Sequence, residues 1–145
     1  MTKAESFLWY RATPRIRLGV AHLWEQNSFR WLASVNIVPE TEELPALNAS
    51  AGVQGIGIGN PGYSATLEKN MGPFNAYAGA GWRSNESHTH FLGGAKYQID
   101  PEWTLGIQLD GHQEHPFVVW SRDHYMLGAY LVDLKSPALM VGYRF

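Results

Sequence analysis

Apolar and polar residues alternate with a period of two along most of this chain. In Phe74 to Arg83, one set is Phe74, Ala76, Ala78, Ala80 and Trp82, and the other is Asn75, Tyr77, Gly79, Gly81 and Arg83. Phe91 to Asp100 sets Phe91, Gly93, Ala95, Tyr97 and Ile99 against Leu92, Gly94, Lys96, Gln98 and Asp100. Trp103 to Asp110 sets Trp103, Leu105, Ile107 and Leu109 against Thr104, Gly106, Gln108 and Asp110. Upstream, Ile16, Leu18, Val20 and Trp24 oppose Arg15, Arg17, Gly19 and Glu25, with His22 the exception on the apolar side. Phe29 to Ile37 and Tyr63 to Glu68 alternate in the same way. Alternation of this length marks strands with two chemically different faces.

Turn chemistry separates the runs: Gln26-Asn27-Ser28, Asn60-Pro61-Gly62, Asn70 to Pro73, Ser84 to Ser87, Asp100-Pro101 and Lys135-Ser136-Pro137. Short connections join antiparallel neighbours, so the expected architecture is an all-β antiparallel meander closed into a transmembrane β-barrel of 8–10 strands. An even total is expected, as in single-chain bacterial barrels. The weakest segments are residues 5–12 and Phe117 to Trp120, together with a Gly-rich strand over residues 49–58. Two connections read as long, Pro39 to Asn48 and Gly111 to Asp123. Residues 1–145 form one domain, with residues 1–13 either a first strand or an N-terminal extension.

Alternation by itself does not say which face points outward, and here composition matters. Charged residues are 17% of the chain, below the ~25% of ordinary soluble domains, while aromatics reach 13%. On the apolar face the aromatics gather near strand ends: Trp24, Phe29, Trp31, Phe74, Trp82, Trp103, Tyr125, Tyr143 and Phe145. Strand centres carry smaller or aliphatic residues. That is the pattern of two aromatic girdles around an apolar band facing lipid. The opposite face mixes Gly with Arg15, Arg17, Arg30, Glu68, Arg83, Lys96, Asp110 and Arg144, a candidate charge network for a narrow lumen. The alternative is the inverse, a soluble or designed barrel whose aromatics line a cup for a small apolar ligand.

The last eight residues, ALMVGYRF, place Leu139, Val141, Tyr143 and Phe145 on one face and stop at Phe. This resembles the C-terminal signal strand of bacterial outer-membrane β-barrel proteins. The resemblance implies insertion in the bacterial outer membrane, with the lipid bilayer as the principal partner. The N-terminal residues MTKAESFLWYR lack the apolar core of a signal peptide. On this reading a leader has been removed; a designed or non-exported chain is the alternative.

Candidate chemistry is sparse. His88, His90, His112, Glu114 and His115 should gather at one barrel end and are candidate ligands for Zn²⁺ or another divalent ion. Asp110 and His112 share a face and could serve an outer-membrane lipid-modifying enzyme, the second alternative; Glu86, Ser87 and His88 are adjacent, which on a strand separates them. No cofactor is implied: Gly55, Gly57, Gly59 and Gly62 lack the helix and Lys-Ser/Thr of a phosphate loop. Cysteine is absent, which excludes disulfides and thiolate metal sites. Net charge is −2 without a basic stripe, so nucleic acid is not an expected partner. The functional expectation is a structural, assembly or partner-binding barrel, contacting another protein through residues 39–48 or 111–123.

Overall fold

The computed structural model describes residues 4–54 and 60–145. Among the described residues eleven strands form one sheet in chain order: β1 (Glu5–Arg11), β2 (Ile16–Leu23), β3 (Ser28–Val38), β4 (Ala46–Gln54), β5 (Asn60–Met71), β6 (Phe74–Arg83), β7 (Thr89–Gln98), β8 (Trp103–Leu109), β9 (Glu114–Arg122), β10 (Tyr125–Val132) and β11 (Ser136–Tyr143). Each strand pairs antiparallel with its sequence neighbours, and no helix occurs among the described residues. The turn residues account for the hairpins. Met71 pairs with Phe74 across Gly72-Pro73, where Gly72 takes φ +64 at the first central position, as a tight two-residue hairpin requires. Asp123 does the same between Arg122 and Tyr125 with φ 53.

Three expectations are corrected. The strands number eleven, not 8–10, because both weak segments are strands: residues 5–11 as β1, and Phe117 to Trp120 within β9. The supposed connection Gly111 to Asp123 is mostly β9. Pro116 gives it the look of a loop, yet Pro116 sits opposite Ile107 in the ladder. The other long connection ends at Pro45, since β4 starts at Ala46; of the Gly-rich strand expected over residues 49–58, residues 55–58 lie outside the described residues.

The third correction concerns closure. No pairing joins β1 to β11 among the described residues, so the sheet is open. The odd strand number fixes the geometry that a seam would have. In a meander of eleven, β1 and β11 run in the same direction, so a direct seam would be parallel where every other pairing is antiparallel.

The open sheet nevertheless curls. Its concave face encloses a cavity of about 470 Å³ lined from Arg17 on β2 to Tyr130 on β10. Burial alternates along the strands in the inverse of a soluble protein's sense. On β8, Trp103, Leu105 and Ile107 are exposed while Thr104, Gly106 and Gln108 are covered; on β11, Leu139, Val141 and Tyr143 are exposed. Among the described residues the buried apolar set is Ala21, Leu23, Leu32 and Ala46, whereas Asn75, Arg83, His90, Asp110 and His115 are buried polar groups. The molecule exposes 9808 Å², against roughly 7,500 Å² for a soluble monomer of this mass. A one-layer sheet with its apolar face uncovered explains the excess.

Small residues make the concave face possible. A Cβ on Gly79 would lie 2.0 Å from the carbonyl oxygen of Ala65 on the neighbouring strand. Gly94 and Gly106 lie opposite Tyr77 and Phe117, whose rings fold over them. Phe117 in turn stacks on Tyr130 at 5.2 Å between ring centroids. Inward aromatic rings packed on glycines fill part of the space that a charged interior would otherwise leave.

Candidate functional site

The meander sends alternate connections to opposite edges of the sheet. The β6–β7 connection, 84–88, and the β8–β9 connection, 110–113, therefore lie at the same edge. Two features bring them together. Gly111 has φ +92, a region favouring glycine, and its Cα packs so tightly that a Cβ would sit 2.4 Å from the Cβ of His90. The carboxylate of Asp110 then caps its own turn: Oδ1 accepts the backbone N–H groups of His112 (3.0 Å) and Gln113 (2.9 Å).

Arg83, at the end of β6, joins the connections from inside. Its Nη2 donates to the Asp110 carbonyl (3.0 Å) and to Asp110 Oδ2 (3.2 Å), and its Nη1 lies 3.5 Å from Glu86 Oε1. His115, fully buried on β9, accepts the Asp133 N–H at Nδ1 (3.2 Å). Its Nε2 faces Asp110 Oδ2 at 3.5 Å. Burial pushes the Asp110 carboxyl upward, but the His112 and Gln113 amides and the charges of Arg83 and His115 outweigh it, and its pKa is lowered.

Above this pair sit Glu86, His90 and His112. Glu86 is anchored through its backbone: its N–H donates to the Arg83 carbonyl (3.1 Å), and its own carbonyl accepts from the indole of Trp82 (3.1 Å). Its Oε1 meets His112 Nε2 at 2.8 Å, and its Oε2 meets His90 Nε2. Burial raises the Glu86 pKa, but the His112 hydrogen bond and the charges of Arg83, His90 and His112 bring it below its ordinary value. The rings of His90 and His112 lie 4.1 Å apart, and the ring of His88 lies 4.5 Å from that of His90.

Of the five metal ligands expected from sequence, the structure thus brings His90 and His112 together and sets the exposed His88 beside them. His115 is turned toward Asp110 and Asp133, and Glu114 is exposed on β9. Glu86 joins the group instead. It was legible only as a carboxylate four residues before His90, a spacing without meaning until the connection folds back. Asp110 bonds the backbone of His112 and faces the imidazole of His115, so the expected Asp110–His112 side-chain pair is not formed.

The expected lumen charges divide. Arg17, Glu68, Arg83, Lys96 and Asp110 line the cavity; Arg15, Arg30 and Arg144 lie outside its lining. Near the opposite edge, asparagines that the sequence reading overlooked carry the polar order. Asn36 donates to Asn48 (2.8 Å), Asn48 to Glu68 (3.3 Å), and Asn75 to both Glu68 (2.9 Å) and Asn70 (2.7 Å), a ladder across β3 to β6. The signal was polar-face position on successive strands.

The aromatic residues Trp24, Trp31, Phe74, Trp82, Trp103, Tyr125, Tyr143 and Phe145 are all exposed. They fall at the two edges of the convex face. Trp24, Trp31 and Trp82 are on the His90 side; Phe74, Trp103, Tyr125, Tyr143 and Phe145 are on the other. His22, the polar exception on the apolar face, packs between Trp24 and Phe29 at 4.5 Å from each ring. Compared with protein-family models, curated proteins and solved structures, the chain matches none. What fold and site define is an all-β meander with a polar concave face and an apolar convex one.

Proposed function

We propose that this chain is a membrane-embedded β-barrel protein of the bacterial outer membrane, with a structural, assembly or partner-binding role. The observation that carries the reading is the inverted polarity. Trp31, Leu139, Val141 and Phe145 stand 85%, 88%, 78% and 95% exposed on the outside, while charged and amide groups are buried inside. In water so much contiguous apolar surface is an aggregation liability; in a bilayer it is the source of affinity. The aromatic residues at both edges of the convex face suit the two interfaces, and the ALMVGYRF strand resembles the signal strand of the class.

Spanning lipid requires every backbone polar group to be paired, so the outer edges of β1 and β11 must be satisfied in the membrane. A parallel β1–β11 seam or one further strand between them does this. The interior, crossed by inward side chains such as Tyr77, Phe117 and Arg83, suits a filled lumen rather than a diffusion pore. That lining is polar, which disfavours a cup for apolar ligands. The connection 39–45 is the place proposed for a partner protein, and it is held against β5 by Asn70, which donates to Glu40 at 2.9 and 2.6 Å, and by Lys69, which donates to the carbonyls of Thr41 and Glu42.

The test is paired refolding in detergent and in plain buffer, followed by circular dichroism and by gel mobility of boiled and unboiled samples. A heat-modifiable β species formed only in detergent is expected. A monodisperse β protein in plain buffer would overturn the proposal.

A further inference from the structure

We propose that Glu86, His90 and His112 form a binding site for a divalent transition-metal ion of the zinc class. One ligand atom from each lies within 4.8 Å of the others. A tetrahedral ion with bonds of about 2.0–2.2 Å holds its ligands roughly 3.3–3.5 Å apart. The group spans that spacing, so small side-chain rotations bring all three onto one ion. The backbones need not move: Glu86 is fixed through Arg83 and Trp82, His90 by its place on β7 against Gly111, and His112 by the Asp110 cap.

An independent observation points to a ligand here. His90 is more than nine-tenths buried, and its Nε2 and Glu86 Oε2, both shielded from solvent, face each other without forming a hydrogen bond of good geometry. Buried polar atoms are rarely left in that state, and a metal bond to each satisfies both. Two imidazoles and a carboxylate are the donor set of zinc, cobalt, nickel or copper rather than of calcium or magnesium, which prefer all-oxygen shells. The charge balance is also favourable. Glu86 and Asp110 supply two carboxylates against the single guanidinium of Arg83. Arg83 bonds Asp110 through Nη2 and stands 3.5 Å from Glu86 Oε1 through Nη1.

His112 is 43% exposed at its side chain, so the site opens to solvent and a water can complete the tetrahedron. The inference does not rest on the membrane assignment, since the same titration can be read in detergent or in buffer, whichever holds the folded chain.

The experiment is calorimetric titration of the untagged full chain with ZnCl₂, with Co²⁺ absorption as a second readout of tetrahedral coordination. One Zn²⁺ per chain is expected, with tetrahedral Co²⁺ bands that Zn²⁺ displaces. His112→Ala and Glu86→Gln alter partly exposed connections and should each weaken binding by at least about tenfold while retaining the wild-type circular dichroism spectrum. His124→Ala, at the opposite edge, should leave the affinity unchanged. Absence of stoichiometric Zn²⁺ binding by the folded wild type would overturn the inference, as would equal affinity in the folded Glu86→Gln and His112→Ala variants.

Discussion

Arg83 should hold the two connections of the candidate site together, and Arg83→Met tests this directly. The substitution keeps the unbranched stem and removes the guanidinium from between Asp110 and Glu86. Removing one partner of a buried ion pair costs about 3–5 kcal/mol, because the remaining charge stays desolvated. Two features soften that here. Asp110 Oδ1 retains the His112 and Gln113 amides, and His115 Nε2 stands 3.5 Å from Oδ2. The expected loss is therefore about 2–4 kcal/mol. Urea unfolding of the folded protein, in detergent or in buffer, followed by tryptophan fluorescence, measures it. The depressed Asp110 pKa sets the pH dependence. Its contribution is complete above the ordinary aspartate value of 3.8 and is lost as pH falls through the lower folded-state value. The gap between wild type and Arg83→Met should accordingly be widest near neutral pH and narrow in acid. Arg83→Met with Asp110→Asn removes the orphaned charge and should recover part of the loss, giving a coupling of about 1–3 kcal/mol. A single mutant within about 0.5 kcal/mol of wild type, or additivity in the double mutant, would refute the reasoning.

Three further outcomes test other parts of the structure. Leu139→Arg, on the most outward position of β11, should cost about 2–4 kcal/mol in lipid vesicles, whereas a water-facing position would tolerate it within about 0.5 kcal/mol. Gly79→Ala should destabilise by about 3 kcal/mol in the same assay, because the added Cβ meets the Ala65 carbonyl and Thr66 Cα, backbone atoms that cannot step aside; an unfolding midpoint equal to wild type would contradict that close approach. Glu40 has its pKa lowered by the Asn70 backbone amide first, then by the Asn70 side chain and Lys69. Protection of the Thr41 and Leu44 amides from hydrogen exchange should therefore hold above the ordinary glutamate value of 4.5 and fall as pH drops through the lower folded value. The same pH profile in Glu40→Gln would remove Glu40 as the cause.

The amino-acid sequence determined most of the strands and the division of each into two faces. A period of two is a local property, so runs such as Phe74 to Arg83 and Trp103 to Asp110 could be assigned as strands with two distinct faces before any contact was known, while which face is outward is seen in the fold. It also located the hairpins at Gly72-Pro73 and Asp100-Pro101, because those residues fix backbone dihedrals by themselves. The segment around Pro116 was misread, since a missing N–H lowers strand propensity locally while the ladders to β8 and β10 override it. Strand number, openness of the sheet and the composition of the site were decided by tertiary structure alone. Whether β1 meets β11 depends on curl accumulated over ten pairings, and no local pattern encodes it. Sequence placed His90 and His112 at one edge by counting turns, but substituting Glu86 for His115 and Glu114 required the actual approach of Gly111 to His90 and of Glu86 to His112. Side-chain direction within a connection is set by the neighbours it lands against, and those neighbours exist only once the sheet has formed.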